Sequence, residues 1–161
     1  MNQKSCPFCT KRKEEAFLSS ENFVAIYNIA PVLPGHSLII PKKHIESLFE
    51  LTEEEAGEFM QLGRKVAKLL SHVFHTDAFD WAVQEKEAAG QSVPHLHMHV
   101  VPRKIGDLPN PGDWYQEIEK AEAHIDSANR KKLKPEEMAQ IVERLKVKAE
   151  EYGFIKTSPE N

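Results

Sequence analysis

Residues 95–101 read His-Leu-His-Met-His-Val-Val, with imidazoles at every second position and apolar residues between them. A strand sends successive side chains to opposite faces. The spacing therefore predicts His95, His97 and His99 on one face and Leu96, Met98 and Val100 in a core on the other. Such a run demands a sheet with one packed face and one face bearing titratable rings. A lone histidine is ordinarily a satisfied or solvated side chain, but packing gains nothing from three neighbouring imidazoles. The run follows the turn signal Gly90-Gln91-Ser92 and points to a functional site.

At 161 residues, 40% of them apolar, the chain has the length for one domain with a real core. Its formal charge of -4 comes from mixed acidic and basic residues without a basic stripe, which argues against nucleic acid as a partner. An anionic ligand would have to be held by local donors. No apolar run approaches the roughly 20 residues that span a bilayer, and the polar start Met1-Asn2-Gln3-Lys4 lacks the apolar stretch of a secretion signal. These features predict a cytoplasmic protein with no membrane partner. Cys6 and Cys9 are then expected as thiols, which leaves metal binding or redox chemistry as their use.

Along the chain, 16–18 and 23–27 read as strands of a hairpin across the turn Ser19-Ser20-Glu21-Asn22. The bend at 30–35 leads into a third strand, 36–40, stopped by Pro41. Thr52-Glu53-Glu54-Glu55 is a capping-box start. Phe59, Leu62, Val66, Leu70, Val73 and Phe74 follow at helical spacing, predicting a long helix to about Thr76. A strand is expected over 79–84, paired with the histidine strand. Beyond it come a loop over 102–112, a short helix from Asp113 through Gln116, and a last helix from Pro135 to Gly153 with a frayed tail. His72 and His75 in the last helical turn, and His124 in a polar segment, are expected at the surface. The fold class is α+β: an antiparallel sheet of about five strands, with one long helix and a C-terminal helix covering one face. Residues 1–116 are expected to form the catalytic domain, and 117–161 a helical extension packed on it.

A neutral imidazole, whose unperturbed pKa is about 6.5, offers a nucleophilic nitrogen at neutral pH and can attack phosphorus. The phosphorus–nitrogen bond is labile, so water can complete a two-step displacement if donors steady the phosphoryl oxygens. Gln84, Gln91, Ser92 and the amides around Gly90 are the candidate donors.

His95-Leu96-His97-Met98-His99-Val100-Val101 resembles the signature of the histidine-triad (HIT) nucleotide hydrolases and transferases, and the resemblance covers about residues 6 to 116. Pro102-Arg103-Lys104-x-Gly106-Asp107 and Tyr115 are similar to the fragile-histidine-triad branch, which splits diadenosine polyphosphates. The resemblance implies a purine nucleotide substrate, with His97 as nucleophile and His99 on the phosphate or leaving oxygen. It places His36 behind the nucleophile, Asn28 on the ribose, and Gln84 and Ser92 on the phosphates. Phe8, Phe17, Ile26 and Leu38 would form a slot for the base, and Tyr115 would reach distal phosphates. Structural alternatives remain: Asn28 closing the turn before Pro31, His36 capping strand carbonyls, Gln84 pairing with backbone, the apolar residues as plain core, and Tyr115 as surface. The family also implies a homodimer joining two sheets.

Cys6-Pro7-Phe8-Cys9 has a spacing that serves zinc or a redox couple, and His44 and His95 would complete a tetrahedral set. This arrangement resembles the structural zinc site of bacterial histidine-triad proteins. Same-face strand neighbours lie about 6.6–7 Å apart, so two adjacent histidines can converge on one metal but three cannot. Three other readings stay open: a catalytic metal on His97 and His99, a purine-nucleoside phosphoramidase, and a nucleotide-binding adaptor without turnover.

Overall fold

The computed structural model describes residues 6–10, 15–122 and 131–155. The polar start at Met1–Lys4, His124 and the expected tail beyond 155 lie outside the described residues. The elements follow in the order α1 (Pro7–Thr10), β1 (Ala16–Ser19), β2 (Phe23–Tyr27), β3 (Ser37–Pro41), α2 (Glu53–Phe74), β4 (Ala78–Val83), β5 (Met98–Arg103), α3 (Asp113–Glu122) and α4 (Pro135–Glu151). The five strands form one antiparallel sheet in the order β1-β2-β3-β5-β4.

The hairpin joining β1 and β2 is clamped by Glu58 of α2. Its Oε1 accepts the Asn22 backbone N–H at 2.7 Å and its Oε2 accepts Asn22 Nδ2 at 2.7 Å. Helix α2 starts where its capping box predicts. The Thr52 hydroxyl accepts the Glu55 N–H, and the Glu55 side chain accepts the Thr52 N–H. It ends at His75, which adopts a left-handed conformation with φ 53°. His72, in the last turn, is exposed and stacks on Tyr152.

The apolar stripe of α2 (Leu62, Val66, Leu69, Leu70) packs with Met138, Val142 and Leu145 of α4 onto one face of the sheet. That face carries Phe23, Ala25, Tyr27, Ile39, Met98 and Val100. Burying a leucine fully in such a core contributes about 2 kcal/mol. At Gly63 the helix packs so close to the sheet that a Cβ would sit 2.5 Å from Met98 Cε, so a side chain there would require the Met98 side chain to shift. The opposite face holds a smaller cluster of Val24, Ile26, Leu38 and Ile40, covered by Cys6, Phe8 and Val93.

Three expectations about element bounds need correction. The histidine strand starts at Met98 rather than His95, because β4 ends at Val83 and offers no partner further back. The Leu96 N–H instead donates to the Ile45 carbonyl at 2.7 Å. The side-chain alternation nevertheless persists, with Leu96, Met98 and Val100 all in the helix-side core. Pro102 lies within β5, not in a loop. It pairs in register with Phe79 of β4, beyond the end of the β3 pairing at Ser37–Val100. Helix α3 runs on to Glu122, well past Gln116.

Candidate functional site

The strand registers place the chemistry on the face away from α2 and α4. Ile26 pairs with Leu38, Leu38 with His99, and His99 with Ala82. Two residues along from these pairs, the Asn28 N–H donates to the His36 carbonyl at 2.9 Å, and Gln84 and His97 follow just beyond the last β4–β5 pair, Val83–Met98. Cross-strand partners share a face, so the sheet gathers Asn28, His36, His99, His97 and Gln84 on one side.

Two hydrogen bonds fix the rings at the centre. His97 Nδ1 lies 2.8 Å from the His95 carbonyl oxygen, so it carries the proton and donates, leaving the Nε2 lone pair as the ring's reactive position. His36 Nδ1 accepts the Val32 backbone N–H at 3.3 Å, which places its proton on Nε2. That Nε2–H then donates to His99 Nδ1 at 2.9 Å, so His99 carries its own proton on Nε2. The His97 and His99 ring centroids are 5.0 Å apart. Asn28 does serve a turn, because its Oδ1 accepts the Ala30 N–H at 3.0 Å. Its amide nitrogen also meets the His36 ring at 3.3–3.4 Å.

The other end of the row is arranged differently. One ligand atom each from Cys6, Cys9, His44 and His95 lies within 4.8 Å of the others, and these four residues could hold a metal ion. His95 Nδ1 is 3.4 Å from Cys6 Sγ and 3.5 Å from Cys9 Sγ, while His44 Nδ1 is 3.4 Å from Cys9 Sγ. His95 Nε2 donates to the Pro41 carbonyl at 3.0 Å, which turns the bare Nδ1 toward the sulfurs. Among the described residues, no group of three or more metal-binding side chains includes His97 or His99.

The rings are less open than a strand face suggests. His95, His97 and His99 are each at most 1% exposed, because α1 folds over them and sets Phe8 edge-on to His95 and His97, with centroids 5.6 and 5.4 Å away. Phe8, Ile26 and Leu38 belong to the small cluster beside the rings. Phe17 belongs to the core under α2 and α4, and the structure removes it from any slot on the histidine face.

Gln84 is 5% exposed, yet among the described residues neither its Oε1 nor its Nε2 has a hydrogen-bond partner. Burying an amide without a partner costs about 1–3 kcal/mol, so its position suits a group that takes a partner from outside the chain. Gly90, at φ 86°, leaves room for it, since a Cβ there would sit 2.9 Å from Gln84 Nε2. Gln91 is differently occupied. Its Oε1 accepts the Lys86 N–H at 2.8 Å, and its Nε2 reaches the Glu46 carbonyl at 3.3 Å, bracing the loop. Ser92 is half-buried beside it. Tyr115 is 40% exposed on α3 with its ring against Trp114, and among the described residues no contact joins it to the histidines.

The sequence reading overlooked the carbonyls of His95 and Pro41 that choose the tautomers. Every residue has a carbonyl, so no side-chain signal marks them. It also overlooked the clamp at the end of β5, where Arg103 donates to Asp80, to both oxygens of Asp107 at 2.9 Å and to the Pro111 carbonyl. The Asp107 hydrogen bonds raise the Arg103 pKa, and Arg103 in turn holds the Asp107 carboxyl below its ordinary range. The i, i+4 spacing of Arg103 and Asp107 was a visible hint.

The HIT domain profile matches residues 10–106. The chain is 37% identical to the bis(5'-adenosyl)-triphosphatase of Dictyostelium discoideum over 109 residues, which are 68% of this chain and 73% of that protein. Its fold is similar to that of the diadenosine triphosphate hydrolase of Plasmodium falciparum, with a TM-score of 0.69 and 26% identity over 86% of this chain and 78% of that one. A zinc-bound histidine triad family protein from Mycobacterium smegmatis superposes with a TM-score of 0.59 at 32% identity, over 80% of this chain and 100% of that one. With its histidine row, sheet order and sequence all in agreement, the chain belongs to the HIT domain family.

Proposed function

We propose that this protein is a nucleotide hydrolase that cleaves diadenosine polyphosphates, with diadenosine triphosphate giving AMP and ADP through a nucleotidyl-His97 intermediate. The observation that carries the reading is the hydrogen bond from His97 Nδ1–H to the His95 carbonyl, which puts the ring's proton on Nδ1 and its lone pair on Nε2. Nε2 attacks the α-phosphorus and the ADP oxygen departs. Water then breaks the phosphorus–nitrogen bond to give AMP and return His97. The His95 carbonyl steadies the positive charge the ring takes on when Nε2 is bonded. His99, protonated on Nε2 because Nδ1 accepts from His36, donates to the phosphoryl or leaving oxygen. Gln84 supplies the waiting amide for the phosphate, with Ser92 beside it, and Asn28 meets the ribose. Phe8 has to swing off His97 as the base enters the apolar cluster.

Cys6, Cys9, His44 and His95 are assigned to zinc in a structural role. Tetrahedral zinc, with bonds of about 2.3 Å to sulfur and about 2.0 Å to nitrogen, requires sulfur–nitrogen edges of about 3.5 Å. The spacings of 3.4–3.5 Å fit that requirement. When bound, zinc would tie the N-terminal segment to the loop before β5.

Residues 1–116 are taken as the catalytic unit and 117–161 as its extension, in a cytoplasmic homodimer. Among the described residues, no helix is long and apolar enough to cross a membrane.

The test is product analysis with purified protein on diadenosine triphosphate, diadenosine tetraphosphate and adenosine phosphoramidate. AMP and ADP from the triphosphate as the fastest reaction supports the assignment. Faster release of AMP from the phosphoramidate makes the protein a phosphoramidase. Binding without release of any product makes it an adaptor.

A further inference from the structure

On the helix side of the molecule, away from the triad, α2, α3, α4 and the bend at 30–34 border a cavity of about 850 Å³. Its wall is largely apolar, with Val32, Leu33, Phe74, Leu133 and Ile141 facing it. Among the described lining residues, Lys120, Lys131, Lys132 and Arg144 stand around it together with Glu117 and Glu137. Both carboxylates are already engaged: Glu117 pairs with Lys120 at 2.7 Å, and Glu137 accepts the Lys134 backbone N–H at 3.0 Å in the cap of α4. Among the described residues the side chains of Lys131, Lys132 and Arg144 have neither an ion pair nor a hydrogen bond. An apolar hollow whose described lining holds four basic against two acidic residues is complementary to an anion with an apolar body. The volume lies in the range of small-molecule sites, about 300–1,000 Å³.

We propose that this cavity is a second ligand site, taking a small organic anion with one carboxylate or phosphate head on an apolar body. The head lies at Lys131, Lys132 and Arg144, and the body lies against Phe74, Leu133 and Ile141. The assignment is independent of the chemistry at His97, since no lining residue belongs to the histidine face. The bend is nevertheless shared between the two sites. Val32 lines the cavity while its N–H donates to His36 Nδ1, and Ala30 lines it while its N–H donates to Asn28 Oδ1. Leu133 is anchored to the same segment through its N–H on the Ile29 carbonyl at 2.8 Å. A bound ligand would therefore sit one backbone layer from the His36–His99 pair.

The test is an NMR titration of the full ¹⁵N-labelled chain with decanoate, decyl phosphate, decanol and inorganic phosphate, each below its micelle concentration. At least one of the two amphiphilic anions should shift the amides of Val32, Leu133 and Ile141 saturably, at least tenfold tighter than decanol, and the tighter anion identifies the head group. Inorganic phosphate should leave those amides unmoved. The double variant Lys132→Glu, Arg144→Glu should weaken anion binding at least tenfold with AMP release unchanged, and Ile141→Trp should abolish it by filling the hollow. Three results would overturn the assignment: no saturable shift with either anion, equal affinity for decanol and the anions, or shifts centred on Gln84, Gln91 and Ser92.

Discussion

His95 and His97 stand two residues apart, yet they offer opposite nitrogens. Each gives one ring N–H to a backbone carbonyl: His95 uses Nε2 on Pro41, and His97 uses Nδ1 on His95 itself. His95 is left with Nδ1 beside two sulfurs, and His97 is left with Nε2 as its reactive position. Identical side chains in one motif thus present different nitrogens through the placement of two carbonyls, which suits one to the proposed metal site and the other to the proposed attack on phosphorus. The two ends of the row are also joined, since the acceptor for His97 is the main chain of His95.

The largest effect that should separate the ends comes from His97→Ala. It should lower AMP release by at least about 10⁴-fold in single-turnover assays while leaving nucleotide affinity and thermal midpoint nearly unchanged. Lost binding or a large drop in stability would make His97 part of the frame instead. Cys9→Ser strikes the other end. If the four side chains hold zinc as proposed, its loss should lower the midpoint by about 10 °C in a thermal scan, because metal binding to such sites is linked to folding. A midpoint unchanged by chelation or by the substitution would leave the thiols without a metal role.

Gln84→Leu sharpens the contrast between groups held for substrate and groups held for structure. It removes an amide with no partner among the described residues, so kcat/KM should fall by about 10²-fold while the thermal midpoint stays level or rises. A fall in both would show that the amide is structural. The smallest effect is expected at the clamp beyond β5. Asp107→Asn should cost about 1 kcal/mol in urea unfolding at neutral pH. The Asp107 carboxyl is depressed in the folded chain, chiefly by its hydrogen bonds to Arg103, so its contribution is present above the usual carboxylate value. It should fade as pH falls through the lower folded value, so the gap between variant and parent closes below about pH 4.

Much of this molecule was legible in its residues, and unevenly so. The capping box at Thr52, the α2 stripe and the alternation through Leu96, Met98 and Val100 are local patterns, and each appears in the fold. The convergence of Cys6 and Cys9 with His44 and His95 was legible because metal chemistry restricts which residue types can meet. Strand ends were not, because β5 begins where β4 stops supplying partners, a fact of pairing rather than of the segment itself. Phe17 reads like Phe8, an aromatic near a strand. Only the packing of α2 and α4 sends one to the helix side while α1 lays the other on the histidines. Gln91 looked like Gln84, yet the loop engages one amide and, among the described residues, leaves the other without a partner.

The central claim is that His97 Nε2 forms a bond to phosphorus. It is tested most directly by mixing excess protein with diadenosine triphosphate, quenching in alkali within the first turnover, and mapping the adduct by mass spectrometry. An adenylyl group on the peptide containing His97, absent in His97→Ala and disappearing as AMP accumulates, is the predicted result. AMP formed at full rate with no adduct at any time, or an adduct carried by His95 or His99, would contradict it.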